Sequence, residues 1–240
     1  MSSLLLTHPT NIYAFASTHF LSLCPSASHP RSSHSSSKSL VICGPRGAGK
    51  STILNMITSK HSTIFTTPTW STSRPNLSHP SSNSTQTPSY NFTTLDVIQQ
   101  KIDDGECACS YSSGGSVYAL TNEDVAKVKD SGSSVVVRCE IRELSRVVDG
   151  LGKHGAVKVL YVTVGGVEVA ERRVIDDGDV MRMSEFESDK ARIKGDIERI
   201  NKGDVEIDGK VVDNNVLEEC WGEVDEWVKG EWREAFAERE

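Results

Sequence analysis

The chain has 240 residues, 37% of them hydrophobic, and a net charge of −7. All 33 acidic residues lie from Asp96 onward, whereas six of the 26 basic ones precede that point; an acidic body without a Lys/Arg run excludes the footprint of a nucleic-acid duplex or an anionic membrane surface. No apolar run approaches the roughly 20 residues needed to cross a bilayer.

The six cysteines, Cys24, Cys43, Cys107, Cys109, Cys139 and Cys220, are scattered, with neither a C-x-x-C pair nor a zinc spacing. Cys43 and Cys139 fall in apolar, strand-like runs where a reduced, buried thiol is expected, which points to a reducing compartment such as the cytoplasm. Residues 1–38 are Ser-rich, acid-free and poor in core-forming side chains, so they are expected to form a disordered leader. The same composition fits a transit peptide to a mitochondrion or plastid, although Arg31 and Lys38 are its only basic residues. Leu4-Leu5-Leu6 is too short for a secretory core.

From Ser39 the texture changes. Leu40-Val41-Ile42-Cys43 reads as a buried parallel strand ending at Gly44, and residues 51–59 as a helix with Ile53, Leu54, Met56 and Ile57 on its apolar side. Residues 62–67 are strand-like, and 68–89 have the Ser/Thr/Pro/Asn composition of a loop. A helix is expected over 94–104, with Leu95, Ile98 and Ile102 at helical spacing and Gly105 at its close. Thr121 is the cap of the next helix, followed by first-turn acids. Apolar strands at 134–139 and 157–164 are each trailed by a helical pattern. Helices are expected over 167–173 and 188–200, a strand over 210–214, and an amphipathic closing helix over 216–237. Strand and helix in alternation imply a parallel β-sheet flanked by helices. His154, in a Gly-Lys-His-Gly turn, reads as solvated; the other histidines show no partner spacing. Trp221, Trp227 and Trp232 read as packing residues of the last helix.

Chemistry is concentrated at Gly44-Pro45-Arg46-Gly47-Ala48-Gly49-Lys50-Ser51, set between a strand and a helix. This is the P-loop pattern: glycines let successive N–H groups face phosphate oxygens, and the helix points its positive end at them. Lys50 is expected to bridge the outer phosphates of ATP, and the Ser51 hydroxyl to ligate Mg²⁺.

With Thr52 added, the same run resembles the G-P-S-G-x-G-K-S-T opening of guanylate kinases. The resemblance continues collinearly to about Val228. Ser71-Thr72-Ser73-Arg74-Pro75 is similar to T-T-R-P, Tyr90-Asn91-Phe92 to Y-x-F, Gly105-Glu106 to the N-G-E turn, Gly115-Ser116-Val117-Tyr118 to G-x-Y-Y, and Val211-Val212-Asp213-Asn214 to V-V-N-D. The resemblance implies a P-loop, nucleoside monophosphate kinase-like fold. Its core would comprise residues 39–67 and 121–240, with an acceptor-binding insertion at 68–120 and a lid at about 174–186. It also implies transfer of the γ-phosphoryl group of ATP to a small acceptor, GMP in that family, by a monomer or homodimer. Arg74, Tyr90, Tyr118 and Glu140 would hold the acceptor. Lys50, Arg74 and the lid candidates Arg172 and Arg192 would surround the moving group, with Arg173 and Arg182 as further candidates.

Departures from the pattern cluster at the acceptor end. Leu77 stands where a second arginine is expected, Cys109-Ser110 where the guanine-reading E-W pair lies, and Trp70 where a guanine-contacting serine lies. The D-x-D strand end becomes Arg138-Cys139-Glu140, and the R-G-R lid becomes Val174-Ile175-Asp176. A carboxylate hydrogen bond is worth about 1.5–3 kcal/mol, so the missing Glu relaxes base selection by roughly tenfold or more. Two alternatives therefore stand beside a GMP kinase. One resembles ribose 1,5-bisphosphate phosphokinases, which take a sugar phosphate and share Val135-Val136-Val137 followed by a non-acid. The other is a guanylate-kinase-like interaction module that keeps ATP binding but performs no transfer.

Overall fold

The computed structural model describes residues 38–74, 90–113, 115–176, 180–205 and 207–238. The expected leader up to residue 37, most of the loop expected up to residue 89, and the acid-rich Asp177-Gly178-Asp179 of the expected lid lie outside them, as does the Arg182 side chain.

Five strands form one parallel sheet: β1 (Ser39–Cys43), β2 (Phe65–Thr66), β7 (Ser134–Cys139), β8 (Val157–Thr163) and β9 (Lys210–Asp213), in the order β2-β7-β1-β8-β9. β1 is central and buried throughout, which is why its sequence is a continuous apolar run and not an alternating one. Its pleat sends Leu40 and Ile42 into one apolar cluster and Val41 and Cys43 into another. The first cluster is covered by α1 (Lys50–Lys60), α5 (Val167–Asp176), α6 (Val180–Asn201) and α7 (Leu217–Glu231). The second is covered by α3 (Asn122–Asp130) and α4 (Leu144–Gly152). A sheet with helices on both faces is thus in place.

A second, mixed sheet runs β4-β3-β6-β5, from β3 (Trp70–Thr72), β4 (Tyr90–Phe92), β5 (Cys107–Ser113) and β6 (Ser116–Thr121). The helix α2 (Leu95–Asp103) packs on it through buried Ile98, while Leu95 is exposed. Thr121 joins the sheet to α3 and caps that helix, its hydroxyl accepting from the Asp124 N–H at 3.1 Å. At Gly150 of α4, a Cβ would lie 2.2 Å from the Ala108 carbonyl oxygen of β5. Only glycine lets helix and strand meet at that distance, and this contact seats the second sheet on the first.

Several sequence expectations need correction. Residues 61–64 are a turn, so the strand expected over 62–67 shrinks to Phe65–Thr66. Trp70–Thr72, expected as loop, is a strand held by pairing with β4 and β6. The closing helix breaks at Trp232 before α8 (Arg233–Ala237). There the buried indole donates to Ser134 Oγ at 2.9 Å and meets Phe65 edge-on. His154 is half-buried, not solvated: Asn122 Oδ1 lies 2.8 Å from its ring and Lys129 donates to its carbonyl. Burial, with Lys129 and Lys153 nearby, lowers its pKa. His61 has a partner after all, Asp225 at 2.7 Å, and lies against Trp221 and Phe236. Cys43 and Cys139 are buried as expected, and Cys43, Cys107, Cys109, Cys139 and Cys220 are free. Among the described residues, no helix is long and apolar enough to cross a membrane.

Candidate active site: a phosphate-binding loop facing an aromatic platform

The loop 44–49 leaves the C-terminal end of β1, between β7 and β8, where the chain's crossovers diverge and α/β sheets bind ligands. Gly49 ends it at φ 89° and precedes α1. A Cβ there would lie 2.2 Å from Asn214 Nδ2, so the position is closed to any other residue. Asn214, buried just past β9, donates to the Ala48 carbonyl at 2.9 Å, and its own carbonyl accepts from Arg173 at 2.5 Å. These bonds fasten the loop to β9 and α5. The expected loop residues Gly44, Pro45, Arg46, Gly47, Ala48, Gly49, Lys50, Ser51 and Thr52 are thus one continuous strand–loop–helix unit.

Lys50 reaches back over the loop, donating to the Gly44 and Pro45 carbonyls at 2.8 Å each. Burial is the largest influence on it and lowers its pKa to about 8, against the opposing pull of Glu140 and Cys43. Arg46 bridges to Glu185 of α6 at 2.5 Å and to Glu140 at 3.4 Å. Glu140 also lies 3.4 Å from Arg142 and 3.5 Å from Arg192, so one carboxylate sits among three guanidinium groups. Arg192 is further tied to Asp189 and Asp196. Arg172 is exposed on α5, whereas its neighbour Arg173 turns inward to Asn214.

Two contacts had no role in the sequence reading. The first is the Arg46–Glu185 bridge; that the third loop residue is an Arg and not a Ser was its only sequence signal. The second is Arg138, at the end of β7, which donates from Nη1 to the Ser51 hydroxyl. The divalent cation expected on Ser51 does not fit this arrangement. Its hydroxyl ligand is engaged by the Arg138 guanidinium, and the nearest acid, Glu140, lies among three guanidinium groups, with its buried Oε2 accepting no hydrogen bond.

The second sheet presents an aromatic surface. Tyr111 and Tyr118 are direct cross-strand partners, stacked at 5.3 Å, and Tyr90 meets Tyr118 edge-on at 6.0 Å. Trp70 closes the row against Tyr111 at 5.4 Å. Tyr90 and Tyr118 are therefore brought together, while Arg74 is exposed at the end of the described stretch. Burial, then neighbouring Tyr90, raises the pKa of Tyr111. Cys109 is buried, and burial with Cys107 beside it pushes its thiol up to about 12, so it is neutral.

A parallel sheet with a P-loop at the end of its central strand and a second, smaller mixed sheet define a P-loop α/β protein of the nucleoside monophosphate kinase class. The family model for guanylate kinase matches residues 36–231, and the chain belongs to the guanylate kinase family. It is 25% identical over 139 residues to a guanylate kinase of Clostridium perfringens (strain SM101 / Type A), spanning 58% of this chain and 61% of that protein. It is 25% identical over 186 residues to guanylate kinase 1 of Arabidopsis thaliana, spanning 77% of this chain but 45% of that one. Among solved structures, guanylate kinase from Anaplasma phagocytophilum shares the fold, at a TM-score of 0.54 and 16% identity. That match covers 81% of this chain and 85% of the other.

Proposed function

We propose that the chain is an ATP-dependent phosphotransferase acting on a nucleoside monophosphate, with GMP the first acceptor to test. The observation that carries this reading is the loop itself: Gly49, Lys50 and Ser51 open α1 in a geometry locked by Asn214 and Arg173. Family membership supports the same reading. On ATP binding, Lys50 would exchange two loop carbonyls for phosphate oxygens. Arg74, Tyr90 and Tyr118 would hold the acceptor phosphate from the second sheet, with Glu140 orienting the arginines at the junction. Arg172 and Arg192 would close on the transferring group from α5 and α6. Catalysis of this kind is positioning and charge neutralisation; the attacking phosphate oxygen is already ionised and needs no base. We read residues 68–120 as the acceptor-binding part and the α5–α6 junction as its lid.

One observation favours a second acceptor class. Trp70 and Cys109, at the positions where the family reads guanine, are both buried and neutral, and Trp70 packs on Tyr111. An acceptor without a base, a sugar phosphate such as ribose 1,5-bisphosphate, makes no demand on them. The test is ADP release with ATP and GMP, dGMP, AMP, ribose 1,5-bisphosphate or no acceptor. Turnover with GMP that disappears in Lys50→Ala supports the first reading, and turnover with the sugar phosphate alone supports the second. ATP binding with silence toward every acceptor would leave a binding module and refute both.

A further inference from the structure

In P-loop proteins the hydroxyl after the loop lysine is half of a metal site, and an aspartate from a neighbouring strand supplies the other half. Here the neighbouring strand brings the opposite charge. Arg138 sits one residue before the end of β7, level with Ile42 of β1. It shares its parity with Val136, which joins Ile53 and Ile57 of α1 in one apolar cluster, while Val135, Val137 and Cys139 turn to the other face. The pleat alone therefore directs Arg138 toward the start of α1. Its Nη1 donates to the Ser51 hydroxyl. The acid at this strand end, Glu140, is held by Arg46, Arg142 and Arg192 at 3.4, 3.4 and 3.5 Å.

We propose that the Arg138 guanidinium replaces a protein-held Mg²⁺ as counter-cation to the outer phosphates, so that this loop accepts metal-free nucleoside triphosphate. The proposal rests on the reading of residues 44–51 as a triphosphate site. A guanidinium suits the role: it is permanently charged and presents five donors in a planar fork, enough to keep Ser51 and still face two phosphate oxygens. A divalent ion arriving at Ser51 meets a fixed positive charge where a carboxylate would have drawn it in. Metal therefore weakens the grip instead of strengthening it.

The test is calorimetric titration of the full chain with ATP at constant ionic strength, once in EDTA and once in excess Mg²⁺. The wild type is expected to bind ATP in EDTA at least as tightly as in Mg²⁺. Arg138→Met should lose tenfold or more in EDTA, and Arg138→Asp should lose at least as much there and recover with Mg²⁺. In a second readout, electron paramagnetic resonance of Mn·ATP should show free Mn²⁺ rising as wild-type protein takes up the nucleotide. Wild-type binding tenfold weaker in EDTA than in Mg²⁺, or Mn²⁺ retained in the complex, overturns the proposal while leaving the triphosphate reading intact. Binding in neither buffer overturns both. Because the wild type decides each comparison, a variant that fails to fold does not spare the proposal.

Discussion

Raising the pH should release ATP from this protein through one lysine. Lys50 titrates at about 8 because burial disfavours its charge. Its protonated fraction thus falls from about three-quarters at pH 7.5 to about one-tenth at pH 9. Phosphate oxygens beside the ammonium favour the charged form, so binding takes up a proton above pH 8. Affinity should drop about eightfold between pH 7.5 and 9, or about 1.3 kcal/mol. The sign for folding is opposite. A lysine whose folded-state pKa lies below its unfolded value costs stability below pH 8, and that cost is relieved as pH rises from about 8 toward 10.5. Titration calorimetry in buffers of different ionisation enthalpy reads affinity and proton uptake together. Lys50→Arg, charged throughout, should flatten the profile. A wild-type affinity unchanged from pH 7.5 to 9, or an equal fall in Lys50→Arg, would refute the reasoning.

Other perturbations address the scaffold. Asn214→Ala strands the Ala48 carbonyl and should cost about 1–3 kcal/mol in urea unfolding, with ATP affinity falling alongside; a silent mutation would mean the loop holds itself. Gly150→Ala should destabilise by about 1–3 kcal/mol despite alanine's helix preference of up to about 1 kcal/mol, because its Cβ meets the Ala108 carbonyl; a gain in melting temperature would contradict the close approach. Glu185→Gln removes a half-exposed partner of Arg46, so stability should change by less than about 1 kcal/mol. If that bridge restrains α6 over the loop, the ATP association rate should rise in stopped flow, and an unchanged rate would remove the restraint.

The phosphate side was legible because it is local. A glycine pattern between an apolar strand and a helix specifies the backbone by itself, and the run from Leu40 to Ser51 folds as its spacing demands. The second sheet was not legible in the same way. β5 is built from Cys, Ala, Ser and Tyr, residues without a clear two-residue hydrophobic rhythm, and β3 is strand only because β4 and β6 pair with it. The contacts Arg138–Ser51 and Arg46–Glu185 span 87 and 139 residues, and no short motif reports such pairings. Likewise, nothing near His61 in the sequence announces Asp225.

The seat of the second sheet on α4 is a contact of main chain with main chain, Gly150 against the Ala108 carbonyl. Such a joint is indifferent to most side chains around it. The strand that carries Ala108 can therefore vary the side chains that point away from the joint without shifting the platform, and the constraint that permits it rests on one glycine.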